Sequence, residues 1–152
     1  MMPLDYIVAG LPALSFGESA PLSWEAFAEA AGGRYDEKAF DDLETQLRNA
    51  ALEARGGGEK HRRPASGLSL YWKNRILACF QEKDVLKREE LLDRTWWDAA
   101  GELTDPLSPL GAGALATYAV RLKIALKRSK ISKDAGMAAF DRLTGGSPAA
   151  GG

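Results

Sequence analysis

The chain offers few residues of the types that catalysis most often uses. Among its 152 residues there is one histidine, His61, and one cysteine, Cys79. His61 lies in a polar, glycine-flanked stretch where a general base is hard to hold rigid, so we interpret it as a solvated linker residue. Cys79 falls on an apolar stripe at helical spacing, which indicates a small buried side chain rather than a nucleophile. With one residue of each type, the common Cys and His zinc sites are excluded.

The neighbouring carboxylates form no site either. Asp41-Asp42 and Glu89-Glu90 are adjacent pairs on segments with helical periodicity, and adjacent helical residues point about 100° apart. The glycines at 56–58 lack both the GxxxxGK[ST] spacing of a phosphate-binding loop and the strand that precedes it. The sequence therefore predicts no catalytic residue, no cofactor and no metal site.

Two clusters of positive charge remain as candidate binding residues. One is residues 60–63 (KHRR), and the other, between residues 121 and 133, holds six basic residues and no acid. The second cluster fits a solvated helix face, a docking surface for an acidic protein, or a nucleic-acid surface. The last is the weakest of the three because no aromatic residue is interleaved with the charges. The candidate partner-binding residues here are Arg121, Lys123, Lys127, Arg128 and Lys130.

Two adjacent tryptophans, Trp96 and Trp97, are the other candidate. Adjacent side chains on a helix cannot both face the same core. We therefore expect Trp97 to lie at the margin of the fold, where an exposed tryptophan anchors a protein contact. The alternative is that the N-terminal segment covers it.

Composition limits the class of protein and its compartment. The formal net charge of −1 argues against a dedicated nucleic-acid binder. The lone cysteine and the lack of a signal-peptide pattern are typical of a reducing cytoplasm. No apolar run reaches the roughly 20 residues of a membrane-spanning helix. We expect a cytoplasmic protein that meets a membrane only through a partner.

Helical periodicity predicts an all-α bundle, a single domain over residues 1–143. Residues 110–131 carry two apolar stripes, so this helix needs partners on two sides and is predicted to be central. Helices near 24–31, 36–55, 68–83 and 85–103 are predicted around it, and Ser132 is predicted to begin a last short helix. One stripe is Leu115, Tyr118, Leu122, Ala125 and Leu126, and the other is Ala116, Val120, Ile124 and Ile131.

The connections follow from turn residues and caps. Prolines and glycines predict an irregular N-terminal cover segment before Ser23, which is the expected cap of the first helix. Asp36 and Asp84 are predicted to cap two later helices. A flexible linker is expected at about 56–67 and a disordered tail at 144–152.

The two ends of the chain resemble known proteins. Residues 5–14 (DYIVAGLPAL) and 24–27 (WEAF) are similar to the start of a small uncharacterised bacterial family that is encoded in operons for V/A-type ATP synthases. Residues 118–124 (YAVRLKI), 135–136 (AG) and 140–143 (FDRL) resemble the end of that family. These C-terminal residues are similar as well to the helical end of the central-stalk connector family of V-type ATP synthases, whose members seat the rotating stalk on the membrane ring.

The resemblance implies a non-catalytic component or assembly factor of a V/A-type ATP synthase, acting by contact with its subunits and without a small-molecule substrate. The chain is far shorter than the three-lobed connector and shows no repeat of a lobe, so a reduced counterpart and an assembly factor are both open. No residue role carries over. The alternatives are a nucleic-acid-associated protein that uses 60–63 and 121–133, with salt-sensitive binding, and an enzyme whose pocket the pattern does not reveal.

Overall fold

The computed structural model describes residues 2–56 and 70–143, with only the backbone at 132–136 and 138–142. All regular structure in these residues is helical, so the predicted all-α bundle is confirmed. The helices are α1 (Leu4–Gly10), α2 (Trp24–Ala31), α3 (Asp41–Ala54), α4 (Leu70–Cys79), α5 (Val85–Ala100) and α6 (Ala112–Leu143), with a 3-10 turn at Gly101–Leu103. The predicted linker after Gly56 and the predicted tail lie outside the described residues.

Helix α6 is central because it is buried in two separate apolar clusters. In the first cluster Leu115, Ala119 and Leu122 pack with Ile7 of α1 and Phe27 of α2. The second cluster joins α6 to α3, α4 and α5 through Val120, Ile124, Ala125, Leu47, Ile76 and Ala99. The predicted two-sided burial is confirmed. Two assignments differ, since Ala125 belongs to the second cluster and Ile131 is 58% exposed.

Two of the predicted helix starts are confirmed by their caps. The Ser23 hydroxyl accepts a hydrogen bond from the Ala26 N–H at 3.1 Å, and the Asp84 carboxylate accepts from the Leu86 N–H at 2.9 Å. Asp36 does not cap α3, so that prediction is wrong. Its carboxylate closes a local turn by accepting from the Lys38 N–H, and α3 begins five residues later.

The N-terminal cover is more helical than predicted. Its prolines and glycines bound α1 rather than interrupt it, because Pro3 stands just before the first helical residue and Gly10 is the last. Residues 11–23 are irregular, as predicted. They carry the chain from α1 to α2 across the face of α6.

Helix α6 also continues past its predicted end. Ser132 does not begin a separate helix, because α6 runs without a break to Leu143. Residues 128–143 contain no proline, and Gly136 inside a helix costs only about 1 kcal/mol. By contrast α5 ends three residues early, where the chain tightens into the Gly101–Leu103 turn.

The start of α6 packs closely against the Gly101–Leu103 turn. The Thr117 hydroxyl lies 2.8 Å from the Ala100 carbonyl oxygen and 2.7 Å from the Thr104 hydroxyl, and Thr117 is buried. Gly113 permits the approach, since a Cβ atom there would collide with the Leu103 carbonyl group. The close packing of α6 on the turn therefore requires glycine at 113.

We expect Gly113→Ala to lower the free energy of unfolding by about 3 kcal/mol, because the Leu103 backbone must move to admit a methyl group. Urea unfolding followed by circular dichroism measures the change. Gly10→Ala is the matched control, since a Cβ atom at Gly10 meets no atom within 4 Å. Equal stability of the two variants would show that the turn does not hold α6.

Candidate functional site

The two predicted binding residues Lys127 and Arg128 are paired with α5. Lys127 Nζ lies 2.5 Å from Asp93 Oδ1. Arg128 bridges Asp93 at 3.3 Å and Glu90 at 3.2 Å. The Asp93 side chain is only 13% exposed, so two cations neutralise one nearly buried carboxylate. The basic cluster of α6 contains no acidic residue in sequence, but acidic residues of α5 lie beside two of its members in space.

Arg121 points into the fold rather than to solvent. Its Nε donates a hydrogen bond to the Trp97 carbonyl oxygen at 2.9 Å, and its guanidinium carbon lies 5.5 Å from the centre of the Trp97 ring. Burial lowers the pKa of Arg121, an effect that the charge of Asp98 opposes. This residue holds α5 to α6.

Lys123 and Lys130 are exposed members of the predicted set. Lys123 Nζ lies 4.7 Å from the centre of the Trp24 ring and 5.7 Å from that of Tyr35, so it also contacts its own chain. Burial, with the nearby Glu37, raises the pKa of Tyr35. Lys130 is exposed, and within the described part of the chain no ion pair involves it.

Trp97 does not lie at the margin, so that prediction is wrong. It is 6% exposed, and the Phe16 ring of the N-terminal cover meets it edge-on at 5.5 Å. The alternative, burial by the cover, is confirmed. Trp96 is the more accessible of the two tryptophans and is half-buried. The sequence of α5 did not reveal that two different segments of the chain cover this helix, one on each side.

Cys79 is the residue of a chemically active type whose surroundings the structure describes. Cys79 is buried, as predicted, with Sγ 3.4 Å from the Thr95 hydroxyl. Across residues 2–56 and 70–143, no three His, Cys, Asp or Glu side chains are grouped so as to hold a metal ion. His61 and the cluster at 60–63 lie outside the described residues. None of the described helices has both the length and the apolar character to cross a membrane.

A concave surface of the described residues forms a groove that sequence reasoning missed. It has a volume of about 610 Å³ and lies between α3, α5 and α6. We call it the α3/α5 groove. One stripe from each of the two helices lines it, namely Arg48 and Leu52 of α3 with Arg55 just after its end, and Arg88, Leu92 and Trp96 of α5. The lining also includes Phe80, Ile124 and Lys127. Spacings of three and four residues in α3 and in α5 were the signal that could have revealed it.

The cations of the α3/α5 groove differ in their partners. Arg48 pairs with Glu44 on the same helix at 3.0 Å. Arg55 and Arg88 instead approach one aromatic ring, with guanidinium carbons 5.7 and 6.0 Å from the centre of Phe80. Arg88 Nε also donates to the Glu82 carbonyl oxygen at 3.1 Å. No carboxylate of the described residues forms an ion pair with either arginine.

A second, smaller groove lies where α1 meets the loop before α6. It has a volume of about 400 Å³ and is lined by Leu4, Asp5 and residues 108–111. Leu110 is 42% exposed and the nearby Leu107 is 91% exposed. This surface is apolar and presents few groups that would orient a ligand.

Comparisons with protein-family models, with curated proteins and with solved structures gave no match for this chain. Some of the residues that carry the resemblance come from opposite ends of the chain and pack together in space. The Tyr118 hydroxyl donates a hydrogen bond to the Pro12 carbonyl oxygen at 2.6 Å, and its ring stacks on that of Phe27 at 5.7 Å. Both rings belong to the first apolar cluster.

Removal of the Asp93 charge is expected to destabilise the protein. Asp93→Asn leaves Lys127 and Arg128 facing a neutral amide, and because Lys127 is 53% exposed we expect a loss of only about 1–2 kcal/mol. Glu44→Gln is the control, since it breaks the exposed pair with Arg48 and should cost less than about 0.5 kcal/mol. Urea unfolding compares them, and equal losses would argue against a buried bridge.

The environment of the Tyr118 hydroxyl leads to a prediction about how the stability of the protein depends on pH. Burial raises the pKa of Tyr118 above 10.0, so the folded state holds the phenolic proton more strongly than the unfolded chain. The resulting stability is complete below pH 10 and is lost as pH rises toward the pKa of the folded state.

We expect Tyr118→Phe to lower the free energy of unfolding by about 1 kcal/mol at neutral pH, because the bond to Pro12 is lost. From about pH 9 to about pH 11 the variant should then lose less stability than the parent protein. Urea unfolding across this range measures both effects. Parallel pH profiles would contradict the assigned environment of Tyr118.

Proposed function

We propose that this protein is a non-catalytic component or assembly factor of a V/A-type ATP synthase and works by contact with other subunits. The observation that carries the contact role is the α3/α5 groove, in which the half-buried apolar side chains of Leu52, Leu92 and Trp96 are flanked by cations. Apolar centres with charged margins are typical of protein interfaces. The choice of complex rests on the resemblance at the two ends of the chain.

The shape of the groove favours a macromolecular partner over a small substrate. Small-molecule sites enclose most of the ligand surface, whereas this groove is open along its side. Its lining spans residues 48–55 of α3 and 88–96 of α5, about two turns of each helix. Both walls are regular helices anchored in the core, which suits a preformed docking surface.

The mechanism that we propose is architectural. Helix α6 has 32 residues, and at 1.5 Å per residue it is about 48 Å long. Its first half is packed on two sides by the other helices, so bending it would disrupt both clusters. Such an element is suited to transmit or resist force between a stalk and a ring, either as a reduced counterpart of the central-stalk connector or during assembly. We place the protein in the cytoplasm, peripheral to the membrane through the complex.

The nucleic-acid alternative gains no support from the cluster at 121–131. Lys127 and Arg128 are paired with acids, Arg121 is half-buried against Trp97, and Lys123 lies over aromatic rings. A helix that presented these charges to phosphates would first have to break these contacts. Lys130 alone keeps the predicted role of an exposed contact to an acidic surface.

Co-purification tests the proposed function. The full chain, tagged after Gly152, is recovered in gentle detergent with nuclease treatment, and the accompanying chains are identified by mass. We expect catalytic and stalk subunits of the ATP synthase in stoichiometric amounts. The free tag is the background control, and Lys130→Glu reports on the remaining predicted contact. Recovery of the protein alone would rule out the ATP synthase role. Recovery of the protein with nucleic acid, in a parallel sample that is not treated with nuclease, would rule it out as well.

A further inference from the structure

The charges around the α3/α5 groove are unbalanced. Four cations line it, Arg48, Arg55, Arg88 and Lys127, against two carboxylates, Glu89 and Asp93. The chain as a whole has a formal charge of −1, so the excess of positive charge is local. Asp93 pairs with Lys127 and Arg48 pairs with Glu44, which leaves Arg55 and Arg88 in the lining against the single carboxylate of Glu89. An occupant of the groove therefore meets a positive surface.

The two arginines without an ion pair are held in place by their own chain. Arg55 and Arg88 both lie within 6.0 Å of the centre of the Phe80 ring, and the Glu82 carbonyl oxygen accepts a hydrogen bond from Arg88. A ring contact and one hydrogen bond restrict the Arg88 guanidinium, a ring contact restricts that of Arg55, and both keep N–H groups available. A side chain that is already restricted loses less conformational entropy when it binds a carboxylate.

Apolar side chains lie between these cations. On α3, Leu52 separates Arg48 from Arg55, and on α5, Leu92 and Trp96 follow Arg88 at intervals of four residues. All three apolar residues are half-buried. A helix that lies in the groove with an apolar stripe downward would meet them and would bring its flanking residues to the arginines.

We propose that the α3/α5 groove binds an acidic amphipathic helix of a partner subunit. Its apolar stripe packs on Leu52, Leu92 and Trp96, and its carboxylates pair with Arg55 and Arg88. This inference rests on the proposed function, in that the protein acts by protein contact, and it names the surface and the chemistry of the partner. A basic or neutral helix would leave the arginines without a counter-charge.

The test uses a synthetic peptide and the full chain. The probe is a fluorescein-labelled amphipathic helix with leucines at helical spacing and glutamates on both flanks, and binding is read by fluorescence polarisation. The reference probe has glutamine in place of each glutamate. We expect the acidic probe to bind at least about tenfold more tightly than the reference and to weaken as salt is raised.

Variants in the groove localise the binding. Arg88→Glu and Arg55→Gln should each weaken the acidic probe about tenfold, since each removes one charge-assisted contact. Lys87→Glu is the matched control, because Lys87 is the exposed neighbour of Arg88 on α5 and does not line the groove. It should bind within about twofold of the parent. Circular dichroism and urea unfolding establish that each variant is folded.

Three results would overturn the proposal. The acidic probe could bind no more tightly than the glutamine probe. Lys87→Glu could weaken binding as much as Arg88→Glu does. Sedimentation could show a dimer of the parent protein that Arg88→Glu abolishes, in which case a second copy of the chain occupies the groove.

The result is separable from that of the co-purification. If ATP synthase subunits are recovered equally with the parent protein and with Arg88→Glu, the proposed function stands and the groove is not the contact. If the acidic probe binds through Arg55 and Arg88 but no ATP synthase subunit is recovered, the groove binds an acidic helix and the proposed complex is wrong.

Discussion

Burial of α6 on two sides is the constraint on which the rest of the structure depends. Leu115, Ala119 and Leu122 require a cover, and the N-terminal segment with α2 supplies it, while Val120 and Ile124 require α3, α4 and α5. A helix with one apolar stripe would leave one of these groups without a partner.

The burial of α6 on two sides also determines where its charged side chains lie. Arg121 and Arg128 are half-buried beside the packed faces of α6, and Lys127 reaches the nearly buried Asp93. Each of the three is therefore matched by α5 through a carboxylate, a carbonyl oxygen or an aromatic ring. A cation that is partly withdrawn from water needs such partners. The contacts hold the helices together, so packing against α5 accounts for the positions of these three cations.

Local signals in the sequence predicted the fold well. The caps at Ser23 and Asp84 and the two stripes of α6 depend on residues close in the chain, so spacing reveals them. The burial of Trp97 and the pairing of Lys127 depend on Phe16 and Asp93, which are 81 and 34 residues away. No local pattern encodes such contacts. The groove was missed for the same reason, since the α3 and α5 stripes each resemble an ordinary solvated face until they are placed side by side.

The cations of α6 and the arginines of the α3/α5 groove differ in whether their charges are available to a partner. The α6 cations are concentrated in sequence and therefore look like a binding patch, yet α5 carboxylates pair with two of them, Lys127 and Arg128. Arg55 and Arg88 are far apart in sequence, yet they meet at Phe80 without a carboxylate of the described chain. An aromatic ring orients a guanidinium without cancelling its charge. The charges of Arg55 and Arg88 are therefore not cancelled by an ion pair with the described residues, unlike those of Lys127 and Arg128.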